Sequence, residues 1–432
     1  MDASAPSKAH ATAPAPGGKS LARKPSRLHL PRAPARPGDA PDFSYLNLEA
    51  AGAQARPDPG VPFAETMPLA TGLIRVLDSQ ARAVGDWDPH LDAETLRAGL
   101  RYMLLTRVFD ERMQRTHRQG KISFYVRCLG EEAVSVAPCM ALKPSDMLFP
   151  SYRNQGLFIV RGKPLVDLMC QVLTNTRDMC KGRQLPIFYH WAEGHLFSLS
   201  GNLATQYPQA VGWAMAAALK GDDHIAAAWT GEGSTAEGDF HQALVFASVY
   251  RAPVILNIVN NQWAISTFQG VAGGERQTFA ARGPGYGVAA LRVDGNDFLA
   301  VYAATKWAEQ RARDGAGATV IEHVTYRAAA HSTSDDPTRY RPAQDYGQWP
   351  LGDPVDRLKC HLIALGEWSD ERHAELTSEL EQHVTDSWKE AVQYGTLNEG
   401  PRLDPGLMFE DVYEKMPQHL QKQRRQQKAE AG

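Results

Sequence analysis

The 432-residue sequence lacks three features that would place it in other well-known classes. Its five cysteines are odd in number and have no C-x-x-C spacing, which fits neither a disulfide framework nor a zinc site. Neither sign of charge dominates, because 46 Lys and Arg stand against 49 Asp and Glu. The longest apolar stretch, residues 210–219, is shorter than the ~18–20 residues that span a bilayer. We therefore expect neither nucleic acid nor a membrane among its partners.

The first 45 residues have a composition typical of disorder. Eight of the 28 prolines lie in residues 1–41, and seven Lys or Arg precede residue 37 against the single acid Asp2. Such a segment buries too little apolar surface to offset its ordering entropy, so residues 1–45 are predicted to be a disordered arm. A transit peptide would need an amphipathic helix, which prolines break. A cytoplasmic bacterial protein is expected, with the mitochondrial matrix as the alternative.

The rest of the chain divides into three predicted segments. Residues 46–90 form an N-terminal extension, residues 91–350 an α/β domain, and residues 351–432 C-terminal helices with a basic tail. Asp92 is a predicted N-cap, since apolar residues at helical spacing follow it to about residue 119. Three later helix starts are predicted by capping residues, namely Asp297, Asp353 before Pro354, and Ser369 before Asp370 and Glu371.

Strands and helices alternate through the middle of the chain. Residues 224–230 form a short apolar run, residues 239–250 a predicted helix, and residues 253–260 a strand rich in β-branched side chains. This order indicates a βαβ unit with parallel strands and a right-handed crossover. The alternation continues through residues 290–293, 297–313 and 319–325. The predicted fold class is therefore α/β, with a doubly wound, mostly parallel sheet and helices on both faces.

Polar residues follow the first two of these strands. A Gly-Glu-Gly run centred on Glu232 comes after the first, and an Asn-Asn pair ending at Asn261 comes 29 residues later. Ligands of open α/β sheets bind at this edge, and a helix N-terminus there favours phosphate. A carboxylate, an amide oxygen and the main-chain carbonyl of Trp263 are suitable ligands for Mg²⁺, which takes further oxygens from phosphate and water. The pattern predicts a magnesium–diphosphate site.

Two other interpretations fit parts of this pattern. A nicotinamide-binding fingerprint needs G-x-G-x-x-G and an acid at the end of the next strand, where this chain has Asn260 and Asn261. The second is an ordinary loop of a helix–sheet protein, which a Gly-Glu-Gly run alone would fit. The paired asparagines at this spacing favour the magnesium–diphosphate interpretation.

The same residues resemble the thiamine-diphosphate motif, a Gly-Asp-Gly followed about thirty residues later by Asn-Asn. From about residue 68 to residue 420 the chain is similar to one family, the alpha subunit of the branched-chain 2-oxo acid dehydrogenase decarboxylating component. Segments that carry the resemblance include Ile122-Ser123-Phe124-Tyr125, Gly130-Glu131-Glu132-Ala133, Lys181-Gly182-Arg183-Gln184 and His331-Ser332-Thr333-Ser334-Asp335-Asp336.

The resemblance implies a thiamine-diphosphate-binding fold and a role for each matching position. The Mg²⁺ ligands would be Glu232, Asn261 and the Trp263 carbonyl. The residues implied at the cofactor are Tyr152, Arg153, Gly201, Leu203, Gly231, Glu232, Gly233, Ser234, Asn261, Arg282, Arg327 and His331. Leu203 would be the apolar wedge that bends the cofactor, whereas His331 and Tyr152 would be catalytic. A potassium-binding loop of relatives is matched by Ser200, Asn202, Thr205 and Gln206.

The resemblance also implies an activity and partners. The enzyme would oxidatively decarboxylate branched-chain 2-oxo acids such as 2-oxoisovalerate and pass the acyl group to the lipoyl group of an acyltransferase core. A beta subunit, in a heterotetramer of two alpha and two beta chains, would supply the glutamate that activates the cofactor's pyrimidine. The alternatives are a pyruvate or acetoin dehydrogenase alpha subunit and a nucleotide-binding α/β protein without decarboxylase activity.

Two positions depart from the family pattern. Glu232 stands where an aspartate is more widespread, which adds a methylene but keeps the oxygen ligand. Val259 stands where mitochondrial relatives have an arginine, so one diphosphate contact is missing. We expect Arg153, Arg282 or Arg327 to carry more of that charge.

Overall fold

A central sheet forms the frame of the molecule. A computed structural model describes residues 28–431, and from Arg32 onward these form one compact unit. The strands are β1 (Met147–Phe149), β2 (Ala226–Gly231), β3 (Val254–Asn260), β4 (Trp263–Ala264), β5 (Thr267–Phe268), β6 (Ala289–Asp294) and β7 (Thr319–Val324). A parallel sheet runs in the order β1-β2-β3-β7-β6, whereas β4 and β5 form a short antiparallel pair.

Helices precede, connect and follow these strands. The α-helices are α1 (Met67–Thr71), α2 (Ala93–Arg118), α3 (Ala133–Ala141), α4 (Gln155–Val160), α5 (Leu165–Leu173), α6 (Gln206–Lys220), α7 (Gly238–Val249), α8 (Arg282–Gly285), α9 (Phe298–Arg313), α10 (Pro354–Ala364), α11 (Asp370–Ala391) and α12 (Gln418–Ala431). Short 3₁₀ helices lie at Phe63–Thr66, Glu232–Ala236, Gln269–Ala272, Pro337–Arg339, Tyr346–Gln348, Val392–Tyr394 and Pro405–Phe409.

The predicted helix starts are confirmed by their caps. A backbone N–H in the first turn of the following helix donates to the side chain of Asp92, Asp297, Asp353 or Ser369. These bonds satisfy donors that a helix N-terminus otherwise leaves unpaired. The predicted apolar stripe of α11 is also buried, from Leu376 to Trp388, where this helix packs against α2 and α5.

Alternate residues of the strands face two separate cores. In β2, Ala226 and Ala228 pack with α6 and α7 on one side of the sheet, whereas Ala227 and Trp229 pack with α3 and α9 on the other. Because side chains alternate along a strand, a strand that is apolar at every position must be covered on both faces. The predicted doubly wound α/β fold with helices on both faces is confirmed.

The structure contains elements that the sequence analysis did not assign. Strand β1 has only three residues, which is too short for a periodic signal. Helix α6 coincides with the alanine-rich apolar run, whose uniform composition gives no clear period. No helix among residues 28–431 has the length and apolar character needed to cross a membrane.

The predicted disorder of residues 1–45 is wrong for its last part. Residues 1–27 lie outside the described residues, but the segment from Arg32 onward belongs to the compact unit. The Phe43 ring lies 5.2 Å from the Trp349 ring and 5.8 Å from the Tyr326 ring. Aromatic side chains contribute much of the free energy gained by burial in a core. The burial of these few rings therefore offsets the ordering entropy of the proline-rich segment around them.

Candidate active site

A cavity of about 290 Å³ opens at the carboxyl ends of β2 and β3. Gly231 pairs with Val259 in the parallel ladder, so the residues that follow the two strands emerge side by side. Predicted site residues that line the cavity are Tyr152, Arg153, Ser200, Asn202, Leu203, Gln206, Gly231, Glu232, Gly233, Ser234, Asn261, Trp263 and His331. Residues from five separate parts of the chain therefore meet at one edge of the sheet, as Gly-Glu-Gly and Asn-Asn at strand ends predict.

Four predicted site residues do not line the cavity: Gly201, Thr205, Arg282 and Arg327. Arg282 is directed at the backbone of neighbouring segments, where Nη1 donates to the Thr235 carbonyl at 2.8 Å and Nη2 donates to the Ala272 carbonyl. The Arg282 guanidinium therefore supports the 3₁₀ helix after Glu232 from outside. The role of Arg282 at the cofactor stays a prediction, since its guanidinium donates to these two carbonyls and not into the cavity.

Arg327 lies directly behind the wall of the cavity. It is 1% exposed, Nη1 donates to the Trp263 carbonyl at 2.7 Å, and Nη2 donates to the Ile265 carbonyl at 2.7 Å. The carbonyl predicted as a metal ligand therefore already accepts a hydrogen bond. A carbonyl oxygen has two lone pairs, so one acceptor position remains on Trp263.

Glu232 is the most unusual acid of the cavity. It is 1% exposed, and its Oε1 is buried without a hydrogen-bond partner. Burial raises the pKa of its carboxyl to about 7, opposed by backbone hydrogen bonds and by the charge of Arg327. An unpartnered buried carboxylate oxygen is costly unless a cation or a donor meets it. A cation bound at Oε1 would therefore stabilise the ionised carboxylate of Glu232.

Glu131 is a site residue to which the sequence analysis gave no role. It is 2% exposed, and its Oε1 accepts a hydrogen bond from Asn261 Nδ2 at 3.0 Å. Because the amide nitrogen points to Glu131, the Asn261 Oδ1 is the atom left for other contacts, and the Trp263 N–H donates to it at 3.2 Å. A possible sequence signal is the pair of acids directly before the apolar helix α3, since buried helices rarely begin with two carboxylates.

Arg153 and His331 form a pair on another wall. Arg153 Nη2 lies 3.3 Å from His331 Nδ1 and donates to the His331 carbonyl at 3.0 Å. Burial, together with the charges of Arg153 and Arg327, lowers the pKa of His331 to about 3. A guanidinium can only donate, so Nδ1 must be unprotonated and the neutral ring carries its proton on Nε2.

Arg153 also approaches the Glu131 carboxylate. Its Nε lies 3.6 Å from Glu131 Oε1, and its Nη1 donates to the Arg127 carbonyl. With Val259 on the wall in place of a cation, Arg153 is the guanidinium that lines the cavity among the described residues. Any anion that enters will meet this group.

The remaining wall comes from residues 200–206. Leu203 is 50% exposed although it is large and apolar, and it lines the cavity. Around it the loop is internally bonded: the Asn202 N–H donates to Ser200 Oγ at 3.1 Å, and Thr205 Oγ1 donates to the Asn202 carbonyl at 3.0 Å. Gln206 Nε2 donates to the Trp229 carbonyl, which ties the loop to β2. The potassium site predicted here stays a prediction.

The donor set fits a divalent cation held together with a polyanion. A buried carboxylate, an amide oxygen and a carbonyl offer hard oxygen ligands, and a guanidinium and an imidazole flank them. A Cβ at Gly233 would lie 2.5 Å from the Ala264 Cβ, so a side chain there would not fit. Within residues 28–431, no group of three or more His, Cys, Asp or Glu side chains could hold a metal ion.

Comparisons with known proteins agree with this geometry. Residues 100–399 match the family model described as dehydrogenase E1 component, and residues 24–62 match one described as 2-oxoisovalerate dehydrogenase E1 alpha subunit N terminal.

Relatives match along most of their length. The chain is 58% identical over 403 residues to the 2-oxoisovalerate dehydrogenase subunit alpha of Pseudomonas aeruginosa, covering 93% of this chain and 98% of that one. It is 38% identical over 358 residues to the mitochondrial 2-oxoisovalerate dehydrogenase subunit alpha of Homo sapiens, covering 81% and 78%. The chain therefore belongs to the dehydrogenase E1 component family, which is thiamine diphosphate-dependent.

Proposed function

We propose that this chain is the alpha subunit of an enzyme that oxidatively decarboxylates branched-chain 2-oxo acids and passes the acyl group to the lipoyl group of an acyltransferase core. The observation that carries the proposal is the buried Glu232 carboxylate, unpartnered at Oε1, beside Asn261 at the ends of adjacent parallel strands. This arrangement is suited to a cation that binds a diphosphate. A nucleotide-binding protein without decarboxylase activity is the alternative from another class.

The branched-chain substrate is supported by the names of the relatives. The Pseudomonas aeruginosa and Homo sapiens proteins are both named for 2-oxoisovalerate. The family model over residues 24–62 carries the same substrate name. A pyruvate or acetoin dehydrogenase alpha subunit remains the alternative within the same fold.

Thiamine diphosphate and Mg²⁺ are the proposed cofactors. Glu232, Asn261 and the Trp263 carbonyl would hold Mg²⁺, and Arg153, Tyr152 and His331 would hold the diphosphate. When bound, thiamine diphosphate supplies the nucleophilic carbon and the electron sink that decarboxylation of a 2-oxo acid requires. A K⁺ ion at residues 200–206 is proposed in addition.

The protein's own groups would position charge and a hydrogen-bond donor. Arg153 neutralises the anion and, through Nδ1, fixes the tautomer of His331. The N–H at His331 Nε2 can then donate a hydrogen bond to an oxygen of the substrate or the acyl acceptor, since this nitrogen is not engaged by Arg153. Tyr152 packs edge-on against the His331 ring at 6.0 Å and restricts its rotation. Leu203 would present an apolar wall that bends the cofactor.

A second chain is needed to complete the site. Among the described residues, the carboxylates that line the cavity are Glu131 and Glu232, and both belong to the cation side. The partner we propose is a beta subunit, in a heterotetramer of two alpha and two beta chains. Helix α7 exposes large apolar side chains toward its C-terminus, from Val245 at 45% to Val249 at 69%. Such a surface supports a contact with another chain on this face. We propose a cytoplasmic bacterial location.

Coexpression with a beta subunit tests the proposal. The assembled enzyme should release CO₂ from 2-oxoisovalerate only with thiamine diphosphate and Mg²⁺, and the alpha chain alone should release none. A higher specificity constant for pyruvate or acetoin would favour a pyruvate or acetoin dehydrogenase alpha subunit. Binding of nucleotides without any effect of thiamine diphosphate on the melting temperature would favour a nucleotide-binding protein without decarboxylase activity.

A further inference from the structure

The turn that carries the proposed metal ligands has an unusual central residue. Gln262 lies between Asn261 and Trp263, has a φ of 77° and is 0% exposed. A residue with a side chain adopts this left-handed conformation at a cost, and glutamine is not among the residues that favour it. The surrounding structure must therefore hold Gln262 in place.

The Gln262 side-chain amide is the centre of a buried network. Its Nε2 donates to the Asn260 carbonyl at 3.0 Å and to the Thr325 carbonyl at 3.2 Å. Its Oε1 accepts hydrogen bonds from Gln269 Nε2 at 2.8 Å and from the Tyr45 hydroxyl at 3.2 Å. Both donors and both lone pairs of the amide are thus used, which fixes its orientation.

A second set of bonds anchors the network to the sheet. Asn260 Nδ2 donates to Gln269 Oε1 at 2.9 Å and to Glu322 Oε1 at 2.8 Å. Glu322 belongs to β7, and its Oε2 accepts from the Ala280 N–H at 2.8 Å. Asn260, Gln262 and Gln269 therefore form a closed ring of hydrogen bonds that is anchored to β7. A substitution at any of the three would alter the conformation of the turn.

Tyr45 brings the N-terminal segment into this ring. It precedes the first helix of the chain, and its ring packs edge-on against Phe268 of β5 at 5.2 Å. The hydroxyl donates to the Gln262 Oε1, so this bond comes from a segment that is distant in sequence from the turn.

We propose that Tyr45 and Gln262 are positioning residues for the metal-binding turn. The N-terminal segment, through the Tyr45 hydroxyl, stabilises the turn shape in which the Asn261 amide and the Trp263 carbonyl can bind Mg²⁺. Neither residue touches the cation. This inference rests on the proposed function, because it assigns the turn to Mg²⁺.

Two substitutions separate this role from general stability. Tyr45→Phe removes only the hydroxyl, and Gln262→Met keeps the side-chain size and the φ requirement but removes the amide. Arg311→Met is the matched control, because Arg311 ties the same N-terminal segment to the end of α9 through the Pro59 and Val61 carbonyls, each at 2.7 Å. Each variant is coexpressed with the beta subunit and stripped of cofactor.

The measurement is the apparent Kd for Mg²⁺ at a fixed concentration of thiamine diphosphate, by calorimetry, with the melting temperature of the stripped protein alongside. Tyr45→Phe should weaken Mg²⁺ binding about threefold to tenfold, the range of one hydrogen bond. Gln262→Met should weaken it more, and Tyr45→Phe should add little in the Gln262→Met background, because the two act through one contact. Arg311→Met should lower the melting temperature while the Kd for Mg²⁺ stays within about twofold.

Unchanged Mg²⁺ affinity in Tyr45→Phe, or additive effects in the double variant, would overturn the inference. A loss of affinity in Arg311→Met that matches the loss of melting temperature would also overturn it, because the N-terminal segment would then act through stability alone. Failure of the wild-type assembly to bind thiamine diphosphate with Mg²⁺ would instead contradict the proposed function.

Discussion

Arg153 Nη2 lies 3.3 Å from His331 Nδ1, and this contact decides where the histidine carries its proton. The guanidinium offers only donors, so His331 is neutral with its proton on Nε2. The lowered pKa of about 3, caused by burial and by the two arginine charges, agrees with a neutral ring at physiological pH. A neutral imidazole of fixed tautomer presents an N–H at Nε2 that can donate a hydrogen bond to a substrate oxygen on which negative charge develops.

Replacing His331 should impair acyl transfer more than cofactor binding. In His331→Ala, turnover with the lipoyl acceptor should fall at least tenfold, because the loss of one hydrogen-bond donor to a developing negative charge costs about 10²–10³-fold in turnover. The affinity for thiamine diphosphate should change much less, since Arg153 stays in place. Steady-state kinetics and calorimetry of the assembled enzyme measure the two quantities. Near-normal acyl transfer would reduce His331 to a wall residue.

A second histidine predicts a pH dependence of stability. His323 of β7 is 0% exposed, its Nε2 lies 2.9 Å from Asn257 Oδ1, and burial lowers its pKa to about 3. The unfolded chain takes up this proton below about pH 6.5, whereas the folded chain does not until about pH 3. The contribution of His323 to the free energy of unfolding is therefore full above pH 6.5 and is lost as the pH falls.

His323→Gln should reduce that dependence. Between about pH 6 and pH 5, the free energy of unfolding of the variant should fall less steeply than that of the wild type, by about 1 kcal/mol per pH unit. Denaturant unfolding over a series of pH values measures the slopes. Above about pH 7 the two slopes should coincide, because neither state then binds this proton. Equal slopes at low pH would contradict a buried neutral His323.

The packed part of the N-terminal segment should contribute to stability. Phe43→Ala removes a ring that contacts Trp349 and Tyr326, and should lower the free energy of unfolding by about 2 kcal/mol. Leu30, which is 66% exposed, offers a control, and Leu30→Ala should change stability by less than about 0.5 kcal/mol. Thermal melting compares them. Equal melting temperatures for both variants would contradict the packing of Phe43 and would favour the prediction that residues 1–45 are disordered.

Leu203 should matter for turnover and hardly for folding. Because the side chain is 50% exposed, Leu203→Ala should leave the melting temperature nearly unchanged. Decarboxylation should fall about tenfold or more, since a misplaced cofactor loses its reactive geometry. Leu219→Ala, near the C-terminal end of the following helix α6 and 87% exposed, should change neither quantity. Unaltered turnover in Leu203→Ala would contradict the proposal that Leu203 is the apolar wedge that bends the cofactor.

The fold and the meeting of Glu232 with Asn261 could be predicted because they depend on local rules. β-branched runs form strands, capping residues start helices, and parallel strands bring their carboxyl ends to one edge. The capping of α2 by Asp92 and the span of β3 agree with the sequence-based expectation within one residue. The function additionally required the resemblance, because the geometry of a cation site alone does not name a substrate.

The rest of the site depends on contacts between distant residues. Glu131 reaches Asn261 from 130 positions earlier in the chain, and no local pattern reports that distance. Arg282 does not line the cavity because its guanidinium donates to the carbonyls of Thr235 and Ala272, and backbone acceptors have no sequence signature. Tyr45 was assigned to a disordered arm because composition averages over a window and hides a few well-packed aromatic residues.

The most direct test is calorimetric titration of Mg²⁺ and thiamine diphosphate into the assembled enzyme carrying Glu232→Gln. Glu237→Gln is the matched control, because Glu237 is exposed and lies at the other end of the same 3₁₀ helix. Glu232→Gln should bind Mg²⁺ and thiamine diphosphate at least about a hundredfold more weakly than wild type. The substitution replaces a negatively charged oxygen ligand with a neutral one, and interactions with charged groups are the stronger ones. Its cofactor-free melting temperature should not fall, because the substitution removes a buried negative charge whose Oε1 has no hydrogen-bond partner. Glu237→Gln should bind as wild type does. Wild-type affinity in Glu232→Gln would contradict the assignment of this carboxylate to Mg²⁺ and, with it, the proposed cofactor site.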